Sequence, residues 1–242
     1  MKKWTQYPLA LACLAAIATS ATAQQPATAA ASLTSVLEDA AQSEKYTFVL
    51  FYRDNSQATQ RMLQTVRQSV GKRADRAVIA TANVNDPAEQ AQIEHFGVSR
   101  APMPLTVAVA PNGAVTGVYP RTVTDERIAT AFVAPVMMRC MKELQNEKLV
   151  FVCLTKTDAA AVPQGVRQLQ MDPQFKDRIS LVGLQAGDPA EQKLIGQLKL
   201  QSVNTDDPYA ALVAPPGVLI GHFDAKATAD QIAAAIHKAG QC

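Results

Sequence analysis

Three histidines and 11 glycines in 242 residues leave little room for several kinds of chemistry. His95, His222 and His237 stand far apart, without the close spacing that metal ligands show. The glycines build no phosphate-cradling loop, and no Gly-x-Ser-x-Gly nucleophile turn is present. Neither sign of charge dominates: 23 basic residues face 21 acidic ones, with no basic cluster. That balance gives no electrostatic case for nucleic acid or for an anionic membrane surface. No cofactor and no metal centre is therefore expected. Acidic pairs such as Glu38 with Asp39 and Asp206 with Asp207 read as solvated side chains.

Long apolar runs are also scarce. The run from Leu9 to Ala18 follows Lys2 and Lys3 and is too short to span a bilayer. Ala21 and Ala23 offer the small residues a signal peptidase reads, so residues 1–23 are expected to be a signal peptide. Cys13 lacks the Leu three positions before it that a lipoprotein site carries. Cleavage after Ala23 removes Lys2 and Lys3 and leaves 21 basic residues against 21 acidic ones. No integral membrane segment would remain, and the location expected is periplasmic or secreted. Residues 24–31 read as a flexible leader. Nothing in the sequence signals an oligomeric state.

What is present is a duplication. Asp86 to Gln90 recurs as Asp188 to Gln192, an offset of 102. The ten residues from Pro104 to Gly113 match Pro208 to Gly217 at an offset of 104, and Glu44 and Lys45 match Glu147 and Lys148. Same-order matches at near-constant spacing indicate two copies of one domain, 32–134 and 135–242. Ser32 or Thr34 can cap a first helix, and Tyr46 to Tyr52 suits a buried central strand. A helix with Met62, Leu63, Val66 and Val70 follows, then a strand from Ala77 to Val84. A helix opens at Asp86 and Pro87 and stops at Gly97. A hairpin turns at Pro111 to Gly113, and a last helix runs from Thr124 through Val133. Helices are then expected to be nearly continuous across Ala134 and Pro135.

This order resembles the thioredoxin fold, and residues 96–104, ending in Met103 and Pro104, are similar to the stretch that ends in the family's cis-proline. The resemblance covers nearly all of 32–239 and implies two tandem α/β domains, each a mixed central sheet flanked by helices. The tandem set is similar to the non-catalytic middle of protein disulfide isomerases and to uncharacterised secreted bacterial members of the superfamily. It implies cis bonds at Met103–Pro104 and Asp207–Pro208. It also implies a shallow apolar binding surface at Met103, Pro104, Asp207, Pro208 and Tyr209.

The family's redox members carry Cys-x-x-Cys at the start of the second helix, where the helix N-terminus stabilises a thiolate. The corresponding positions here are Ser56, Gln57, Ala58 and Thr59 in the first repeat, and Ala159 to Val162 in the second. Neither set holds a thiol, so dithiol exchange by that route is not available. Ser56 reads first as a helix cap. Of the mature cysteines, Cys153 reads as a buried core residue. Cys140 and Cys242 form a candidate disulfide, which would stabilise the second repeat by roughly 3–5 kcal/mol. A tail thiol bridging two molecules is the other reading of Cys242. Met137, Met138, Cys140 and Met141 have soft-metal chemistry but also the spacing of a core stripe.

Two expectations follow. One is a redox-inactive module that binds protein or peptide clients. The alternative is a thiol–disulfide protein using Cys140 and Cys242, or a protein that handles metal.

Overall fold

The computed structural model describes residues 32–156, 162–204 and 206–240. The proposed signal peptide and leader, Ala159 to Ala161 and Cys242 lie outside them. Among the described residues no helix is long and apolar enough to cross a membrane.

Each repeat builds one four-stranded mixed sheet. In the first, helix α1 (Leu33–Gln42) precedes strand β1 (Tyr46–Tyr52). Helix α2 (Gln57–Gly71), strand β2 (Ala77–Asn83) and helix α3 (Gln90–His95) follow. The hairpin of β3 (Leu105–Val109) and β4 (Val115–Pro120) and the short α4 (Asp125–Ala129) complete it. The second repeats the order with α5 (Pro135–Gln145), β5 (Leu149–Thr155), α6 (Gln164–Met171) and β6 (Ile179–Gln185). It ends with α7 (Gln192–Gln197), β7 (Tyr209–Ala214), β8 (Val218–Phe223) and α8 (Ala229–Lys238). The strand orders are β2-β1-β3-β4 and β6-β5-β7-β8. The first pair in each sheet is parallel and the other two pairs are antiparallel. These are two tandem thioredoxin-like domains, as the sequence resemblance implies.

The central strands are apolar throughout because both of their faces are covered. On β1, Phe48 and Leu50 pack with Met62, Val66 and Ile128, whereas Val49 and Phe51 pack with Leu33 and Ile93. Helices α2 and α4 therefore cover one face, and α1 and α3 the other. On β5, Val150, Val152 and Leu154 meet Val136, Cys140 and Leu194. Leu149, Phe151 and Cys153 meet Val166, Leu169 and Ile236 on the opposite face.

The duplicated pentapeptide is a pair of structural clasps. Asp86 and Asp188 each accept the amide two residues on, at 2.9 and 2.8 Å, and so start a 3-10 turn. The next acidic residue reaches the first helix of its own repeat. Glu89 accepts the Leu33 amide at 3.1 Å, and Glu191 accepts the Val136 amide at 2.6 Å. Helix α1 also has Ser32 as a side-chain cap, but α5 begins at Ala134 and Pro135 and has none. Glu191 supplies the missing acceptor from across the fold.

Two local expectations are corrected. Helix α4 stops at Ala129, so the helices are not nearly continuous at the junction. Phe132 turns inward instead, with its ring 4.8 Å from that of Tyr46 and under the Arg76 guanidinium. The Tyr46 hydroxyl binds both the amide and the carbonyl of Val133, at 3.2 Å each. Pro135 also disfavours helical backbone at Ala134, which is extended. The helix expected from Asp86 begins as a 3-10 turn, Pro87–Glu89, before α3.

Gly165 shows where side-chain size is limiting. A Cβ there would lie 2.3 Å from the Ala227 carbonyl oxygen, where α6 crosses the chain leading into α8. Gly165→Ala should destabilise the protein by about 1–3 kcal/mol, read as a lower urea midpoint. A midpoint at or above wild type would refute this packing. Glu191→Ala should cost about 1–3 kcal/mol and more than Glu89→Ala, because it orphans a buried amide that has no second cap. Glu191→Gln keeps one acceptor oxygen and should cost less; equal losses for Glu191→Ala and Glu89→Ala in urea unfolding would argue against the clasp.

Candidate functional site

The start of α2 is where redox members of the fold present their thiolate. Here Ser56 is the N-cap, and its side chain accepts the Thr59 amide at 3.5 Å. The two hydroxyls lie 3.2 Å apart. Ser56, Gln57 and Ala58 are exposed, and Thr59 is buried. Asp54 binds the Ser56 amide at 3.1 Å, not its hydroxyl, so it does not act as a base on it. The cluster is a helix cap made of neutral groups. In the second repeat, Val162 is half-buried against the core and the preceding alanines lie outside the described residues.

Beside it, Met103–Pro104 is cis. Pro104 is buried, and Met103 is half-buried against the cluster containing Phe96 and Val98. Met103 thus offers less free surface than its place beside the proline suggests. The Arg53 guanidinium donates to the Ser99 carbonyl at 2.7 Å, tying the loop after β1 to the loop that carries the proline.

The second repeat departs from this pattern. Its cis bond is Pro215–Pro216, at the hairpin turn, and Asp207–Pro208 is not cis. Pro208 follows Leu200 by eight positions, whereas Pro104 follows Val98 by six, so the longer chain reaches its strand by another route. That insertion carries its own anchor. Lys156, which follows β5 as Arg53 follows β1, pairs with Asp206. Lys156 holds the Asp206 carboxyl below its ordinary range.

Tyr209, next to Pro208, borders an opening of about 510 Å³. His222 stands beside it, ring centroids 5.8 Å apart, and its Nε2 lies 2.8 Å from the Leu198 carbonyl oxygen. Asp224, Lys226 and Gln231 supply the polar wall. Burial pushes the Tyr209 phenol up, and the nearby Asp224 carboxylate adds to the rise. Sequence reasoning found Tyr209 but not His222, Asp224 or Lys226. The signal lay in the matched turn at Pro215 to Gly217, because antiparallel pairing from it sets His222 opposite Ala211 and Phe223 opposite Ala210, near the start of β7.

The thiols are elsewhere. Cys140 and Cys153 are free and buried. Burial is the leading cause that pushes each of them up to about 12. Burial therefore disfavours the thiolate of each at neutral pH. The Cys140–Cys242 pairing expected from the sequence involves Cys242, which lies outside the described residues. Cys140 packs on the α7 side of the second sheet, and Ile236 of α8 packs on the other side. The methionines divide as well. Met138 and Met141 pack against the first core and Met137 against the second. Among the described residues, no group of three or more His, Cys, Asp or Glu side chains could hold a metal ion.

No protein-family model matches this chain, and no curated protein does. Solved structures similar to it include human ERp44 in a zinc-bound form, at 12% identity and a TM-score of 0.36, over 86% of this chain and 59% of that one. The first two thioredoxin domains of Naumovozyma dairenensis Eps1p are similar at 13% identity and a TM-score of 0.30, over 84% of this chain and 93% of theirs. A disulphide isomerase from Xylella fastidiosa Temecula1 is similar at 16% identity and a TM-score of 0.33, over 42% of this chain and 88% of its own.

Proposed function

We propose that this chain is a secreted, redox-inactive tandem thioredoxin-like protein that binds extended or partly unfolded polypeptide. The observation that carries the reading is the start of α2, where Ser56 and Thr59 form a neutral cap in place of a thiolate. The two described thiols are buried and held protonated, so they do not replace it. Secretion is supported by Lys2 and Lys3, the apolar run after them and the small residues before position 24.

The binding surface is assigned mainly to the second repeat. The opening beside Tyr209 has an aromatic floor for apolar side chains and a wall of Asp224, Lys226 and Gln231 for backbone groups. Pockets of this size with a few convergent polar groups suit a segment of extended chain. In the first repeat the exposed Pro102 and half-buried Met103 form a smaller contact area. Loops that vary on a fixed scaffold are where recognition usually lies, and the two repeats differ most at this loop.

The mature protein should show no insulin-disulfide reduction above the rate of reductant alone. Thiol-dependent turnover that disappears in Cys140→Ser would refute the redox-inactive reading. Cys140 and Cys153 should resist a thiol-modifying disulfide reagent in the native state and react once urea unfolds the chain. Because their folded values are raised from 9.0 to about 12, the neutral thiols favour the fold below pH 9. That contribution is lost as pH rises from 9 towards 12. Alkaline unfolding should therefore be less steep in a Cys140→Ala, Cys153→Ala variant, and an unchanged alkaline limb would contradict the burial argument.

A fluorescent, permanently unfolded polypeptide should bind with a dissociation constant on the order of micromolar. Tyr209→Ala should weaken that binding several-fold with an unchanged circular dichroism spectrum. Met103→Asp is the poorer test, since the packed side chain contributes to the core. Equal binding by wild type and Tyr209→Ala would remove the second repeat's opening from the account.

A further inference from the structure

The duplication places the same hollow in both repeats, between the first helix, the short helix after the 3-10 turn, and the hairpin. In the first repeat it is small, about 120 Å³. Leu37, Phe96 and Pro111 line it, and Lys142 reaches in from α5. In the second repeat the hollow measures about 520 Å³. The residues that changed explain the difference. Cys140 stands where the first repeat has Leu37, and Leu198 where it has Phe96. Both replacements are smaller, and both line the larger cavity.

The cavity has a consistent chemistry. Met137, Met141 and Leu144 of α5 face Leu194 of α7 and Leu219 of β8. A second hollow of about 290 Å³ shares Met141, Leu144 and Pro216 with it and extends the trough towards Gln145 and Glu147. Lys193, Gln197 and Thr116 are the polar groups that border the larger hollow without partners among the described residues. Lys193, on the first turn of α7, is exposed and makes no ion pair among the described residues. The Thr116 hydroxyl, contributed by β4 of the first repeat, is buried and has no hydrogen-bond partner.

We propose that this trough is a binding site for a long-chain fatty carboxylate, with the acyl chain along α5 and the carboxylate at Lys193. An apolar trough extended in this way matches an unbranched chain, and one uncompensated ammonium matches one negative head group. Sites of this volume at the junction of two structural units commonly hold ligands of drug or lipid size. The site is distinct from the polypeptide surface beside Tyr209 and does not depend on it.

The test is displacement of cis-parinaric acid from the full mature chain, followed by fluorescence. Saturable one-to-one binding is expected, with palmitate displacing the probe and hexadecanol displacing it much less well. Lys193→Gln should weaken palmitate about two- to fivefold and leave hexadecanol unchanged, since it removes an ion pair at an exposed position. Leu198→Phe restores the residue found in the first repeat and should remove binding of the probe. If that variant does not fold, Lys193→Gln decides alone. No saturable binding, equal displacement by acid and alcohol, or binding by a folded Leu198→Phe protein at wild-type affinity would each overturn the proposal.

Discussion

The bond from the Val136 amide to the Glu191 carboxylate, 2.6 Å long and fully buried, fixes the helix on which both halves of this molecule depend. Helix α5 belongs by sequence to the second repeat, and Val136 and Cys140 pack into that core. Its other side serves the first repeat. Met138 and Met141 lie against the first core. The Gln145 side chain binds the amide and carbonyl of Val115 at 2.9 and 2.7 Å, and so takes the place of a further strand at the open edge of β4. An exposed edge is a liability that proteins commonly cover. Here one helix closes one sheet and supports another, and a carboxylate from the duplicated turn holds its start.

Duplication gives the molecule internal comparisons, and what differs between the halves bears on function more than what is shared. The clasp carboxylate, the mixed sheet, and the left-handed residues Glu44 and Glu147 that end the first helices are common to both. The approach to the hairpin is not. Arg53 holds the short loop through a backbone carbonyl, whereas Lys156 holds the longer one through Asp206. The hollow under the first helix is small in one repeat and larger in the other. Both changes leave the strands alone and alter the surfaces around them.

Much of the fold could be read from the sequence, because the repeat and the uniformly apolar strands are strong local signals. The cap at Ser56 was legible for the same reason: a small hydroxyl before a helical stripe has one common use. The junction was not, since Phe132 leaves the helical pattern to pack under Arg76, a contact between residues distant in sequence. The role of Asp-Pro-Ala-Glu-Gln was missed likewise. The pentapeptide announced the duplication, but its carboxylates act on amides 56 and 55 residues away. The opening beside Tyr209 depends on hairpin register, which the matched turns contained but periodicity alone does not display.

The central claim is that this thioredoxin-like pair engages polypeptide without thiol chemistry. Hydrogen–deuterium exchange of the mature chain, with and without a cysteine-free unfolded polypeptide, tests it most directly. The account predicts slowed exchange at Tyr209, His222 and residues 224–231, with a smaller effect at residues 99–103 and no covalent adduct at Cys140 or Cys153 when a thiol-bearing polypeptide is substituted. Unchanged exchange at those segments, or a mixed disulfide to Cys140 or Cys153, would contradict it.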